Sequence, residues 1–99
     1  MLLYRYEANP TTILGEWQDN AIDQAGHFLA QVYVRAPSPL NTFDVEVIDY
    51  AGRKIRRFVT CTEILNDITD VPVDGIVTIK ISNAAIDEQF EVMMCFYTS

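Results

Sequence analysis

Apolar and polar residues alternate along most of this chain, and that period of two constrains the fold more than any other feature of the sequence. In HFLAQVYVRA, residues 27–36, every second position is apolar, and NTFDVEVIDY, residues 41–50, repeats the pattern. Side chains alternate between the two faces of a β-strand, so both segments predict half-buried strands. The residues that we expect to face the core are Phe28, Ala30, Val32, Val34, Phe43, Val45 and Val47.

Two further segments near the end of the sequence show the same alternation. VDGIVTIKIS, residues 73–82, opens with a turn at Asp74 and Gly75, and QFEVMMCFYT covers residues 89–98. Only NAAIDE separates them, and this short spacing predicts that they form a hairpin. The residues expected inside are Val77, Ile79, Ile81, Phe90, Val92, Met94 and Phe96.

The other segments are shorter or carry turn signals. LLYRYE and TTILGEW, residues 2–7 and 11–17, predict short strands, and the two prolines of PSPLN, residues 37–41, predict a crossing loop. Gly52 suits a hairpin connection over residues 49–52. Only CTEILNDITDV, residues 61–71, has helix-like spacing of apolar residues, which predicts a loop with one helical turn.

These elements together indicate one all-β domain over residues 1–99. Roughly seven or eight short strands with Gly and Pro turns are typical of a small antiparallel β-sandwich or barrel, jelly-roll-like in outline. A chain of 99 residues supplies one core but leaves a large share of its surface exposed, so we expect stabilisation by a partner subunit.

Charge and composition exclude several classes of partner. The net charge of −7 makes nucleic acid an unfavourable partner, because polyanions repel an acidic chain. No apolar run approaches the roughly 20 residues of a membrane span, and we expect no membrane partner. The two cysteines, Cys61 and Cys95, lie far apart without a metal-ligand spacing, so we expect free thiols and no metal or other cofactor.

No spacing in the sequence matches a catalytic device. His27 is the single histidine and has no serine or cysteine nearby in sequence that would make a nucleophilic pair. The aspartates that follow one another at short intervals lack the glycine and closing glutamate of a calcium loop. We therefore expect a protein that is not an enzyme.

A basic stripe, defined as Arg53, Lys54, Arg56 and Arg57, interrupts this acidic chain. It falls in the first half of a predicted strand, with an edge position or a bulge near Arg56 and Arg57. Three interpretations stay open: a nucleic-acid contact, a solvated edge protected by positive charge, and an interface with carboxylates of a neighbouring subunit. The third makes the four bases interface candidates.

Three aromatic residues are further interface candidates. Trp17 follows Gly15 at a strand end, where its ring could close the core or contact a partner. Tyr33 and Tyr97 fall on the outward registers of their strands. An outward tyrosine on a sheet suits an interface, although single exposed aromatic residues are also ordinary on protein surfaces.

Two stretches of the sequence resemble a known class of protein. VPVDGIVTIKISNAAIDEQFEVMMCFYT, at residues 71–98, and the opening YRYEANPTTILGEW, at residues 4–17, are similar to small β-sandwich structural proteins of tailed-bacteriophage particles. The resemblance implies a capsid decoration or cement protein that is made in the host cytoplasm and sits on the virion. It also implies contact with the major capsid protein or another virion protein, and a homotrimer. A head-tail connection or tail role would look similar in sequence.

A different class remains as an alternative. A carbohydrate-binding β-sandwich would use Trp17 and exposed tyrosines as stacking platforms, with polar side chains as partners for sugar hydroxyls. The feature that distinguishes it is a coplanar aromatic pair on one face. A hydrolase-type barrel is the weakest of the alternatives, because no motif places an acid pair.

Overall fold

Ten β-strands make up the regular structure of residues 2–24 and 26–98, which are the residues that a computed structural model of the chain describes. No helix able to span a bilayer occurs in these two ranges. The all-β prediction is confirmed, and the strand number exceeds the expected seven or eight because two of the strands are only two residues long. The strands are β1 (Leu3–Ala8), β2 (Thr11–Thr12), β3 (Trp17–Asp23), β4 (His27–Arg35), β5 (Thr42–Ile48), β6 (Lys54–Thr62), β7 (Ile64–Pro72), β8 (Ile76–Ser82), β9 (Glu88–Gln89) and β10 (Glu91–Thr98).

Two four-stranded antiparallel sheets form the β-sandwich. The front sheet has the order β1-β10-β4-β7, and the back sheet has the order β3-β8-β5-β6, while β2 and β9 form a small separate pair. Inward side chains of both sheets join in one buried cluster. Its fully buried members include Leu29, Val32, Val34, Met94 and Phe96 from the front sheet, and Val45, Val47, Val77, Ile79 and Ile81 from the back sheet.

The alternation correctly predicted the inward residues of β5, β8 and β10, but it failed in the first half of β4. There Leu29 is fully buried, while Phe28 and Ala30 are only half-buried. The cause is a bulge: Phe96 pairs with Leu29 and Cys95 with Gln31, so Ala30 is an extra residue. One inserted residue shifts every side chain before it to the other face, which is why the predicted register is wrong at Phe28.

The predicted hairpin between the last two long strands is wrong. β8 lies in the back sheet between β3 and β5, and β10 lies in the front sheet between β1 and β4. The connecting segment contains β9, which pairs with β2, and it carries the chain from one sheet to the other. Phe90 completes the crossing by packing edge-on against Phe43 of the back sheet, with ring centroids 5.1 Å apart.

The helical turn expected within residues 61–71 is also wrong, since most of this stretch belongs to β7. Glu63, with a φ of 55°, is the single residue that turns the chain from β6 into β7. Ile64 and Ile68, whose spacing resembled a helix face, are exposed on the strand. Leu65 and Ile68 lie an odd number of residues apart, which in a strand places them on opposite faces.

Polar side chains connect the two sheets at both open edges of the sandwich. At one edge, the Tyr6 hydroxyl of β1 donates a 2.6 Å hydrogen bond to Asp19 Oδ2 of β3. Burial, together with the Asp19 carboxylate, raises the pKa of Tyr6 well above its usual value. At the other edge, Arg56 of β6 donates a hydrogen bond to the Thr69 hydroxyl of β7 and lies 3.3 Å from Asp67 Oδ2.

Gly15 and Gly26 form a matched pair for testing backbone packing. Both have a positive φ, 82° and 80°, but a Cβ on Gly15 would lie 2.7 Å from the Ala84 carbonyl oxygen, whereas nothing lies within 4 Å of one on Gly26. We expect Gly26→Ala to lower the free energy of unfolding by about 1 kcal/mol through the backbone torsion alone. Gly15→Ala should cost about 3 kcal/mol, because the clash adds to the torsion. Urea denaturation of both variants measures the difference, and equal losses would contradict the predicted close approach.

Candidate functional site

The outward side of the front sheet, here called the front face, is rich in aromatic and apolar side chains. Glu7, Met93, Tyr33 and Asn66 lie side by side across the four strands, because each pairs directly with the next. Their neighbours along the strands point into the core, so these four point outward. Met93 and Tyr33 are half-buried at the centre of the face, between the more exposed Glu7 and Asn66 at its sides.

A second group of aromatic side chains lies toward the other end of the front face. Phe28 and Tyr97 stack with ring centroids 5.3 Å apart and an interplanar angle of 16°. The Tyr97 hydroxyl donates a hydrogen bond to Asp70 of β7, and this bond raises the pKa of Tyr97. Between the two groups lie Cys95, Gln31 and the exposed Ile68.

An open concavity of about 430 Å³ surrounds Tyr33 on this face. Gln31 Nε2 donates a 2.8 Å hydrogen bond to Asn66 Oδ1 at its margin, which fixes both amides. Two glutamates also line it, each paired with an arginine on the surface at 3.5 to 3.9 Å. The main lining residues are Glu7, Gln31, Tyr33, Asn66, Glu91 and Met93. Such a site offers an aromatic ring and a thioether for contact, with amides and carboxylates that orient a polar partner.

The outward side of the back sheet has the opposite character. Gln18, Lys80, Glu46 and Arg57 lie side by side across its four strands. The next row contains Asn20 and Thr78, whose hydroxyl donates a 2.6 Å hydrogen bond to Asn20 Oδ1. The chain is therefore a sandwich with one polar outer face and one aromatic outer face.

Three of the four bases of the basic stripe form ion pairs with acids of the same chain. Lys54 Nζ lies 3.1 Å from Glu46 Oε2 on the neighbouring strand, and Arg56 reaches Asp67 in the other sheet. Arg53 binds Asp49, four residues before it. Only Arg57 is exposed without an ion pair among the described residues. Contact of these four bases with another subunit stays a prediction. Because the other three bases form ion pairs within the chain, Arg57 is the member of the basic stripe most available for such a contact.

Asp49 and Arg53 close the β5–β6 hairpin. The Asp49 side chain is fully buried, and it accepts hydrogen bonds from the backbone N–H of Arg53 at 3.0 Å and from its Nε at 2.8 Å. Burial by itself would raise the pKa of Asp49, but the Arg53 hydrogen bonds outweigh it and hold that pKa below its usual value. The hairpin predicted at Gly52 is confirmed, with a φ of 84°.

Trp17 lies apart from the other aromatic candidates. It pairs opposite Ile81 at the start of β3, is half-buried and packs against the core. The exposed Ile13 and Leu14 lie near it beside a second open concavity. The structure therefore brings Tyr33 and Tyr97 onto one face of the front sheet and places the four bases in β6 and the turn before it. Trp17 lies in β3, at the opposite edge of the back sheet from β6.

The sequence prediction missed several residues of the front face. Met93 occupies an outward position on β10, and its register was available once Val92 and Met94 were assigned inward. Phe28 was assigned to the core and became a front-face residue only through the bulge at Ala30. Gln31, Asn66 and Ile68 carry no local signal, because their proximity arises from the β4–β7 pairing.

The described residues contain no cluster of three or more His, Cys, Asp or Glu side chains suited to a metal ion. Cys61 and Cys95 are free thiols and half-buried. Burial, followed by the nearby Asp44 carboxylate, raises the pKa of the Cys61 thiol, so that thiol is protonated at neutral pH.

Comparisons with known proteins give no family. No protein-family model matches the chain, and no curated protein matches it. Among solved structures, the chain is similar to PliG of Aeromonas hydrophila, a periplasmic lysozyme inhibitor of g-type lysozyme, at 12% sequence identity and a TM-score of 0.47. The similarity covers 95% of this chain and 83% of that one. A similarity at this level carries no argument about function.

The Asp49–Arg53 pair predicts a pH-dependent loss of stability. Arg53→Ala should lower the free energy of unfolding by about 1 to 2 kcal/mol at neutral pH, because a buried carboxylate loses hydrogen bonds to a charged group. The pKa of Asp49 is depressed in the folded state, so its contribution is complete above the unfolded pKa of about 3.9 and is lost as the pH falls through the lower folded value. Denaturant titrations between pH 7 and pH 2 should therefore show the two proteins converging below about pH 4.

Arg57→Ala is the matched control for that series, since it removes an exposed arginine from β6, the strand that begins directly after Arg53. We expect its stability to stay within about 0.5 kcal/mol of the parent protein at every pH. A loss as large as that of Arg53→Ala would contradict the assignment of internal partners to the stripe.

Proposed function

We propose that this protein is a non-enzymatic structural protein of a tailed-bacteriophage virion, a capsid decoration or cement protein that binds and stabilises the outer shell. The single observation that carries the binding role is the contrast between the two outer faces. Tyr33, Met93, Phe28 and Tyr97 are presented on the front face, while the back face is polar. Aromatic residues and methionine are enriched at protein interfaces, and charged residues are depleted at their centres.

The virion assignment rests on the resemblance of residues 71–98 and 4–17 to small virion β-sandwich proteins. In this role the front face docks on the major capsid protein or another virion protein, and the back face stays in water. Binding across a junction between shell subunits adds buried area that the subunit interface itself lacks, so that it reinforces the shell. A place in the virion after synthesis in the host cytoplasm belongs to this proposal, and a head-tail connection or tail role is its nearest variant. The resemblance also implies a homotrimer, whereas the open edge of β7 favours a two-fold dimer, and the mass of the protein in solution decides between the two assemblies.

A carbohydrate-binding module is the second candidate, and the concavity around Tyr33 favours it. Amide groups of Gln31 and Asn66 next to an aromatic ring suit sugar hydroxyls. The aromatic pair on this face argues against it. At 5.3 Å and 16°, the rings of Phe28 and Tyr97 face each other and do not form a flat platform. Protein binding therefore has the stronger support of the two.

The first experiment asks whether the protein is part of a particle. Phage particles from the virus that encodes the chain are purified on a density gradient and analysed by quantitative mass spectrometry. We expect the chain at a fixed ratio to the major capsid protein, in many copies per particle. Its absence from purified particles would overturn the virion proposal, and binding to a glycan array would then favour the carbohydrate module.

The second experiment identifies the docking face. Tyr33→Ser should weaken binding to shells that lack the protein by at least about tenfold, because a half-buried tyrosine at the centre of an interface is a typical energetic anchor. Tyr50→Ser is the matched control, since Tyr50 is exposed in the β5–β6 turn away from the front face. Sedimentation of the bound protein with the shells measures the affinity. Unchanged binding by Tyr33→Ser together with loss in Arg57→Ser would move the docking site to the basic stripe.

A further inference from the structure

The open edge formed by β7 is the most regular of the four sheet edges in the described residues. Its nine residues alternate between exposed and half-buried from Ile64 to Pro72 without interruption. The pairing of β6 shifts twice, those of β3 and β7 shift once each, and β1 has only six residues. Bulges and short length protect an edge against further pairing, and β7 keeps its alternation even where its pairing with β4 shifts opposite Ala30.

The backbone of β7 has groups available for another strand. At its two ends, odd-numbered residues turn toward β4: the Glu63 carbonyl accepts a hydrogen bond from Ala36 N–H, and Val73 N–H donates one to the His27 carbonyl. Because backbone groups alternate in direction along a strand, the even-numbered residues turn theirs to the open edge. Ile64, Asn66, Ile68 and Asp70 therefore offer both donor and acceptor there, and Pro72 offers its carbonyl.

We propose that β7 pairs antiparallel with β7 of a second copy of this chain, about a two-fold axis that lies midway between the two copies of Ile68. The argument is the self-complementarity of the strand. In this register Ile68 faces its own counterpart, Asn66 faces Asp70 of the partner subunit, and Asp67 faces Thr69 of the partner subunit. Leu65 faces the partner's Val71, and Ile64 faces the partner's Pro72. Apolar residues meet apolar residues, and each aspartate meets a hydrogen-bond donor.

Neighbouring registers lack this match. A two-fold axis perpendicular to the sheet pairs outward residues with outward residues, so one residue of the strand must lie directly opposite its own copy, with the axis midway between the two. Moving the axis to Asp67 would place two aspartates directly opposite each other. Moving it to Thr69 would place Ile68 opposite Asp70. The register centred on Asp67 is disfavoured by like charges, and the register centred on Thr69 is disfavoured by an acid opposite an aliphatic side chain. The register centred on Ile68 also lets the largest number of even-numbered residues form backbone hydrogen bonds with the partner strand.

The charge of the chain predicts how salt affects this dimer. Each copy has a net charge of −7, so the two copies repel, and added salt screens that repulsion. Association through the edge should therefore strengthen as salt rises. Association through the basic stripe and acids of a sister subunit would weaken instead, so salt separates the two modes.

The test is the mass of the 99-residue chain in solution, measured by light scattering over a range of concentrations up to about 1 mM. We expect a species of twice the 11.3 kDa chain mass that becomes more populated at higher salt. Ile68→Asp should raise the dissociation constant at least about tenfold, because it places like charges opposite each other on the axis. Ile86→Asp is the matched control, since Ile86 is 68% exposed and Ile68 is 71% exposed.

A monomer at every concentration, a trimer, or a dimer that survives Ile68→Asp would overturn the proposal. Cross-linking gives a second readout. Ile68→Cys should form an intermolecular disulfide under mild oxidation, because a hydrogen-bonded antiparallel pair has Cα atoms about 5.5 Å apart, within the range of a disulfide. Ile86→Cys should not, and equal cross-linking of both variants would contradict the edge. These outcomes do not depend on the virion proposal, which is decided by the particle analysis.

Discussion

Packing of β10 and β4 against β8 and β5 is the interaction on which the rest of the structure depends. Each of these four strands is paired on both sides, so its backbone groups are satisfied within the sheets. Each also contributes inward side chains that are completely buried. Once these strands are placed, the edge strands have only one neighbour each, and their inward side chains cannot be covered as fully. The properties of the edges and outer faces follow from this central packing.

Polar side chains bridge the two sheets at both edges, where the inward side chains are incompletely buried. An inward residue at the rim of a sandwich is partly reached by water, so a long side chain with a polar end suits it better than an aliphatic one. Tyr6 and Arg56 both have this form, and each ends on an acid of the opposite sheet. Arg56 was predicted as an interface candidate near an edge, and its position at the rim explains why its guanidinium binds Asp67 of the same chain instead.

Local pattern predicted the strands better than it predicted their partners. The inward residues of β5, β8 and β10 followed from alternation, because those strands are continuous on the side that faces the core. The hairpin of β8 with β10 failed because two strands that are strongly apolar on one side can also meet across the core. The register of β4 failed at Ala30, since a bulge depends on the neighbouring strand and leaves no local signal in this segment.

The candidate site was predictable to the same extent. The outward positions of Tyr33 and Tyr97 followed from alternation, but their neighbours on the front face did not. Phe28 lies on this face because of the bulge at Ala30, and Ile68 lies beside Gln31 because β4 pairs with β7. The acids that pair with the basic stripe also include one that is close in sequence and one that only the fold brings near. Asp49 is four residues from Arg53 and could be inferred locally, whereas Asp67 reaches Arg56 only because β6 and β7 are edges of different sheets.

Internal neutralisation of the stripe changes how an acidic chain can bind a neighbour. With Arg53, Lys54 and Arg56 held by acids of the same chain, charge attraction would supply little of the proposed binding, and the aromatic front face and the β7 edge would have to supply most of it. These two features adjoin, because Ile68 belongs to both. Pairing two copies along β7 would join their front faces side by side and double the surface available to one partner. Two weak contacts held in one dimer bind a repetitive surface far more tightly than either contact alone, so in the proposed role the edge and the face would act together.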